Sequence, residues 1–300
     1  MEFRKLKFLG AGANGNVFLA APCRPCDDLV CPSLFAVKSA NCLSTTLKRE
    51  KMFLDELFGS CYIVECFGHN VSIEEGRRVY NVMMEYASGG TLKSLIESRG
   101  GRMEEREVAY YSRMLLLGLS SAHKKGIVHC DLKPDNVLVF PREEETYHLL
   151  KIADFGNAKK VWEKEMHEPG RASNHRGTLR YASPESVMYG IHGKPTDIWS
   201  LGCVILEMLT GQRVWGANST CVEIILKLML MKPEIPEFVS NIGTDFLDKC
   251  FEKNPEKRWT ISMLMRHKFI DDNFSCDVRF GGCRTNDYSD IDWSFSLPQR

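Results

Sequence analysis

Three hundred residues exceed a single ordinary core, so a two-lobed domain or two small domains is expected. Lysine plus arginine and aspartate plus glutamate both number 39, so the net charge is zero, and bulk charge gives no support to a nucleic-acid or anionic-membrane partner. No apolar run approaches the roughly 20 residues that span a bilayer; the stretches 114–117 and 224–231 are short or interrupted by Lys227.

In chain order, residues 3–9 and 15–21 carry β-formers around a glycine-rich turn, and FAVKS at 35–39 reads as a short buried strand. Thr45–Phe58 reads as a helix with Leu47, Leu54 and Phe58 on one stripe, and VYNVMMEY at 79–86 as a further strand ended by Ser88-Gly89-Gly90. Glu104–Lys125 is a long amphipathic helix, with Gly126 where a C-cap belongs. Further helices are expected over Asp197–Thr210, followed by Gly211, and over Cys221–Met231. Strands therefore fill residues 1–87 and helices residues 88–270, an α+β pattern of two unequal lobes, with a tail at 271–300 that loses periodicity.

The N-terminus MEFRKLKFLG has no apolar segment after its charges, so no secretory signal is expected and the protein is expected in cytoplasm, nucleus or both. Its twelve cysteines are then expected as free thiols. Cys23, Cys26 and Cys31 cluster, with Cys42 the nearest fourth ligand for a zinc ion; a surface loop of thiols between two strands is the preferred reading.

Gly10, Gly12 and Gly15 form G-x-G-x-x-G ahead of Val17. A dinucleotide fold wants a helix next, whereas VFLA continues here as strand, so these glycines leave backbone free to lie over phosphates. Lys38 sits in a buried-type strand and needs an anionic partner. Glu50 falls on the inward stripe with Leu47 and Leu54, whereas Glu56 falls on another side. In HCDLKPDN, Asp131 can accept or orient the proton of an attacking hydroxyl and Lys133 can neutralise charge on a moving phosphoryl group. Asn136 and Asp154, the latter in IADFG, supply hard oxygens suited to Mg²⁺. Together and in this order, these residues read as a phosphotransfer site.

With these motifs the chain resembles a eukaryotic protein kinase over about residues 4–270. The resemblance implies a bilobal fold, ATP as co-substrate and Mg²⁺ as cofactor. It places Lys38 on the phosphates with Glu50 as partner, Asp131 as catalytic base, and Asn136 and Asp154 on the metal. The nucleotide would lie against Leu9, Gly10, Ala11, Gly12, Gly15 and Val17, with Met84 as gatekeeper, Glu85 and Ala87 as hinge, and Val17, Ala36 and Leu138 around the adenine. DLKPDN resembles serine/threonine rather than tyrosine kinases. DIWSLGCVILEMLTG and FLDKCFEKNPEKRWT resemble MAP kinase kinase kinases of the short plant type, which implies MAP kinase kinases as protein substrates. Thr178 is implied to hold Asp131 and Lys133, and Glu185 to pair with Arg258; GTLRYASPE departs from the usual pattern at Ala182 and Ser183. The rivals are a pseudokinase-like regulatory binding module, which typically lacks one of Lys38, Asp131 or Asp154, and a kinase-shaped small-molecule phosphotransferase.

Cys130 stands where an arginine that grips an activation-loop phosphate is usual. A thiol cannot form that clamp, so Cys130 is expected as a buried packing residue, with redox sensitivity the alternative. Basal activity is then expected to depend little on phosphorylation within about 156–185. Ser173 and Thr178 are the candidate acceptors, and Lys159, Lys160, Arg171 and Arg176 the candidate substitute cations.

Overall fold

The glycine-rich turn closes a hairpin, not a strand–helix unit. In the computed structural model, which describes residues 2–12, 14–23, 32–142, 145–163 and 176–271, β1 (Phe3–Gly12) pairs antiparallel with β2 (Gly15–Pro22). Three more antiparallel strands, β3 (Phe35–Asn41), β4 (Cys66–Glu74) and β5 (Arg77–Met84), complete a sheet in the order β1-β2-β3-β5-β4. The β4–β5 turn, Glu75-Gly76, runs at φ 50° and 76°, the positive values that suit a tight right-twisted hairpin.

Helix α1 (Thr45–Glu56) starts where the Ser44 hydroxyl accepts the Leu47 amide at 3.3 Å, a side-chain N-cap. It buries Leu47, Glu50, Phe53 and Leu54. Phe58 departs from the expected stripe: it is 67% exposed, because the helix ends at Glu56 and Leu57, 2% exposed, takes the inward place.

After residues 85–91 the chain turns helical. Helices α2 (Leu92–Ser98) and α3 (Glu105–Lys124) precede four short strands, β6 (Ile127–Val128), β7 (Val137–Phe140), β8 (Leu149–Ile152) and β9 (Lys159–Lys160). β7 pairs with β8 and β6 with β9, so the HCDLKPDN loop is held at both ends by antiparallel strand pairing. There follow α4 (Pro184–Tyr189), α5 (Lys194–Thr210), α6 (Cys221–Leu230), α7 (Asn241–Cys250), α8 (Ile261–Leu264) and α9 (Lys268–Asp271). Helix α5 begins three residues before the expected Asp197, because Pro195 is tolerated in a first turn, where its missing N–H has no partner to lose. Gly202 lets α7 approach α5: a Cβ there would lie 2.8 Å from Cys250 Cβ.

One buried cluster runs from Leu47 and Phe53 through Met114 and Leu150 to Trp199 and Ile270, joining both halves; a smaller one, Ala20, Phe35, Val37 and Met83, lies on the sheet. Seven cysteines are free among the described residues, Cys23 and Cys42 among them, but Cys61 is disulfide-bonded, against the expectation of free thiols. Approach of two sulfurs is set by tertiary geometry, which spacing along the chain does not reveal. No metal-holding group of three or more His, Cys, Asp or Glu occurs among the described residues; Cys26, Cys31 and residues 272–300 lie outside them. None of the described helices is long and apolar enough to cross a membrane.

Candidate active site

A cleft of about 740 Å³ is lined by Leu9, Gly10, Ala11, Gly12, Val17 and Ala36 from the sheet, and by Met84, Glu85, Ala87 and Leu138 at its back. Lys38, Glu50, Asp131, Lys133, Asn136 and Asp154 line it as well. Gly15 does not. It runs at φ 139°, and a Cβ there would meet the Ser39 carbonyl oxygen at 2.5 Å, so it serves the turn and the packing of β2 on β3. The register sets the rest: Val17 lies opposite Lys38, and Ala36 opposite Met84. Glu85 turns its carboxylate away, onto Lys151 Nζ at 2.7 Å and the Glu65 amide at 2.7 Å.

Three charges meet at the centre. Lys38 Nζ lies 2.6 Å from Glu50 Oε2 and 2.9 Å from Asp154 Oδ1. Burial works against the Lys38 charge, but Glu50 and Asp154 outweigh it and hold the ammonium above its ordinary value. Burial pushes Glu50 up to about 7; Lys38 opposes this, and Asp154, competing for the same cation, adds to it. Burial also works against the Asp154 charge, yet Lys38 and an Asn14 amide at 3.1 Å keep it below the usual carboxylate range. Asp154 sits at φ 60°, with the Gly156 amide 3.4 Å from the same Oδ1.

Asp131 is held from every side. Thr178 N donates to Oδ1 at 2.8 Å; Lys133 Nζ and Asn157 Nδ2 donate to Oδ2 at 3.0 and 3.2 Å. Lys133 also reaches Thr178 Oγ1 at 2.8 Å, the bridge expected of that threonine. Asn136 Nδ2 donates to the Asp131 carbonyl at 2.8 Å, which commits its nitrogen and leaves Oδ1 as the atom suited to a cation. Gly177, at φ 85°, lets the segment close on the loop: a Cβ would lie 2.3 Å from the Cys130 carbonyl oxygen.

The loop itself hangs on Asp197, which is fully buried. It accepts the His129 and Cys130 amides at 2.9 Å each and His123 Nε2 at 2.8 Å. Burial works against its charge, and these donors, His123 foremost, still hold it below its usual range. Cys130 is 5% exposed at φ 66°, its Sγ 3.6 Å from the Val128 carbonyl oxygen. That is the expected packing role, since a redox-sensitive thiol needs access to solvent. Arg258 grips Glu185 bidentately, Nη1 to Oε1 at 2.7 Å and Nη2 to Oε2 at 2.9 Å, as expected of that pair. Ser173 and Arg171 lie outside the described residues.

Sequence reasoning missed Asn14 and Asn157, whose amides touch the two carboxylates at 3.1 and 3.2 Å, and Val64 and Tyr86 in the cleft lining. Asn157 follows IADFG directly, and that position was its only signal.

Residues 3–270 match the family model of the protein kinase domain. Mitogen-activated protein kinase kinase kinase 20 of Arabidopsis thaliana is 35% identical over 285 residues, covering 93% of this chain and 81% of that protein. Mitogen-activated protein kinase kinase kinase 18 of the same plant is 37% identical over 281 residues, covering 90% and 78%. The similarity extends to mitogen-activated protein kinase kinase kinase 4 of Homo sapiens, 36% identical over 212 residues, 69% of this chain and 12% of that one. With the cleft, the charge cluster and the loop as described, the chain belongs to the protein kinase family, among serine/threonine kinases of the MAP kinase kinase kinase type.

Proposed function

We propose that this serine/threonine kinase phosphorylates MAP kinase kinases, with Asp131 as the group that receives the substrate proton. The serine or threonine oxygen attacks the γ-phosphorus of ATP, the bond from that phosphorus to the β–γ bridging oxygen breaks, and ADP leaves. The hydroxyl proton passes to Asp131, whose carboxylate is fixed by Thr178, Lys133 and Asn157. Lys133, 3.0 Å from Asp131, neutralises charge on the moving phosphoryl group. Lys38 holds the α- and β-phosphates, and Glu50 fixes where Lys38 points.

Asn136 and Asp154 offer hard oxygens and would hold Mg²⁺, which supplies charge neutralisation on the phosphates. The single observation that carries this reading is the Lys38 ammonium within 2.9 Å of both Glu50 and Asp154, beside a four-donor Asp131. The same residues speak against the binding-module rival, since the lysine, the base and the metal aspartate are all in place. The test incubates the protein with ATP, Mg²⁺ and a panel of MAP kinase kinases beside a generic protein substrate. Phosphoserine or phosphothreonine on a MAP kinase kinase is expected; phosphate on the generic substrate alone would overturn the substrate class, and on neither, the catalytic reading.

A further inference from the structure

Cys130 carries no fixed charge that could grip a phosphate. The start of the activation segment meets helix α1 through two ion pairs. Arg49, adjacent to Glu50 on α1, donates Nε to the Ala158 carbonyl at 3.0 Å and pairs through Nη2 with the Glu163 carboxylate. Its guanidinium also lies over the Phe53 ring, 5.1 Å from the centroid, which fixes the side chain for this reach. Glu163 accepts the Lys160 amide at 3.2 Å as well. Burial works against its charge, but Arg49 and that amide, with Arg176 adding to them, hold it below the usual carboxylate range. At the other end of α1, Lys160 pairs with Glu56, and its ammonium lies 5.1 Å from the Trp162 ring centroid.

We propose that Glu163 stands in for an activation-segment phosphate, and that Arg49–Glu163, seconded by Glu56–Lys160, holds α1 against the segment so that Glu50 meets Lys38 without phosphorylation. Glu163 supplies what a phosphate would: a fixed anion in the segment, held by a cation on α1 and by the Lys160 amide. Arg49 and Glu163 are positioning residues, acting on phosphoryl transfer only through Glu50. The pair is part-exposed, at 29% and 35%, so each such contact is modest alone. The effect comes from anchoring Ala158 and Glu163 together, one residue from Glu50. The inference rests on the proposed roles of Lys38 and Glu50.

The test takes the full chain, phosphatase-treated, at saturating ATP. Wild type is expected to lose less than about twofold in kcat on phosphatase treatment. Glu163→Arg and Arg49→Glu are each expected to lower kcat about three- to tenfold, with KM for ATP nearly unchanged, because fewer molecules hold α1 in place. Each is also expected to speed hydrogen exchange of α1 amides. The double exchange, Arg49→Glu with Glu163→Arg, is expected to restore both readouts, whereas Asp55→Asn, on the exposed side of α1, moves neither. Unchanged α1 exchange in both single variants, or a double variant as low as the product of the singles, would overturn the proposal. So would a wild type that loses about a hundredfold on dephosphorylation. Hydrogen exchange reports on the anchoring of α1 without passing through catalysis, so a failure of the Lys38–Glu50 assignment remains distinguishable from a failure of this one.

Discussion

Two buried ion clusters in this chain follow opposite rules. Beneath the helices Arg258 is saturated: both carboxylate oxygens of Glu185 take one guanidinium nitrogen each, Glu252 and Pro195 carbonyls take further N–H groups, and the Trp199 ring covers the charge at 5.2 Å. In the cleft Lys38 is over-subscribed, one cation shared by two carboxylates, and Glu50 is pushed up to about 7 by its burial, with the Asp154 charge adding to it. The first arrangement has nothing left to bind. The second leaves one carboxylate charge unmatched, which the phosphates and Mg²⁺ of the proposed site would rebalance. The two clusters thus differ in how completely their partners are satisfied, not in how deeply they are buried.

The largest effect is expected from removing Arg258. Arg258→Ala strands the Glu185 carboxylate, with an expected loss of about 3–5 kcal/mol of stability in urea unfolding. Turnover per folded molecule should stay near wild type. If stability holds and turnover falls, the two clusters have been assigned the wrong way round.

Removing the cleft charges should do the reverse. Lys38→Met and Glu50→Gln are each expected to cut kcat by roughly tenfold or more, since the proposed role of both is to position the phosphates. Glu56→Gln, off the inward stripe, should cost less than either. Equal damage from Glu50→Gln and Glu56→Gln would remove the basis for placing Glu50 alone in the site.

The buried Glu50 also gives the nucleotide-free protein a pH signature. Glu50 titrates higher when folded than its ordinary 4.5, so its contribution to stability is present below about 4.5 and is lost as pH rises through about 7. Asp154 runs the other way, contributing stability above its ordinary value and losing it as pH falls. As pH rises from 4.5 to 7, wild type should therefore lose stability relative to Glu50→Gln; a difference that stays flat would mean that Glu50 titrates in the folded protein as it does in the unfolded chain.

The smallest expected effect is at the thiol. Cys130→Ala should change stability by about 1 kcal/mol or less, since it removes one weak S–H contact to Val128 and keeps the backbone bonds to Asp197. Activity should be unaffected, and a thiol reagent should leave Cys130 unmodified in the folded protein; rapid modification would revive the redox reading.

Much of this was legible in the sequence, and the limits are physical. The motif residues lie in short stretches, so Lys38, Asp131, Asn136 and Asp154 could be read by spacing, and Glu50 by the helical stripe it shares with Leu47 and Leu54. Phe58 failed because the helix ended two residues earlier than the stripe suggested. Strand β4 alternates with its apolar Val71 and Ile73 exposed, and α2 spans only seven residues, so neither carries a signal like the continuous buried run of β3 or the long stripe of α3. Asn14 and Arg49 could not be read at all: their partners Asp154 and Glu163 stand 140 and 114 residues away, and only the packing of sheet, α1 and activation segment brings them together.

The role of the cleft is decided by Asp154→Asn, assayed for phosphate transfer from Mg²⁺·ATP to protein serine and threonine, with thermal unfolding recorded on the same sample. The carboxylate lines the cleft and answers Lys38, Asn14 and Gly156 without filling the core. Transfer is therefore expected to fall by about a thousandfold or more while the protein remains folded. Turnover near the wild-type rate in a folded Asp154→Asn protein would contradict the assignment of this cleft as the site of phosphoryl transfer.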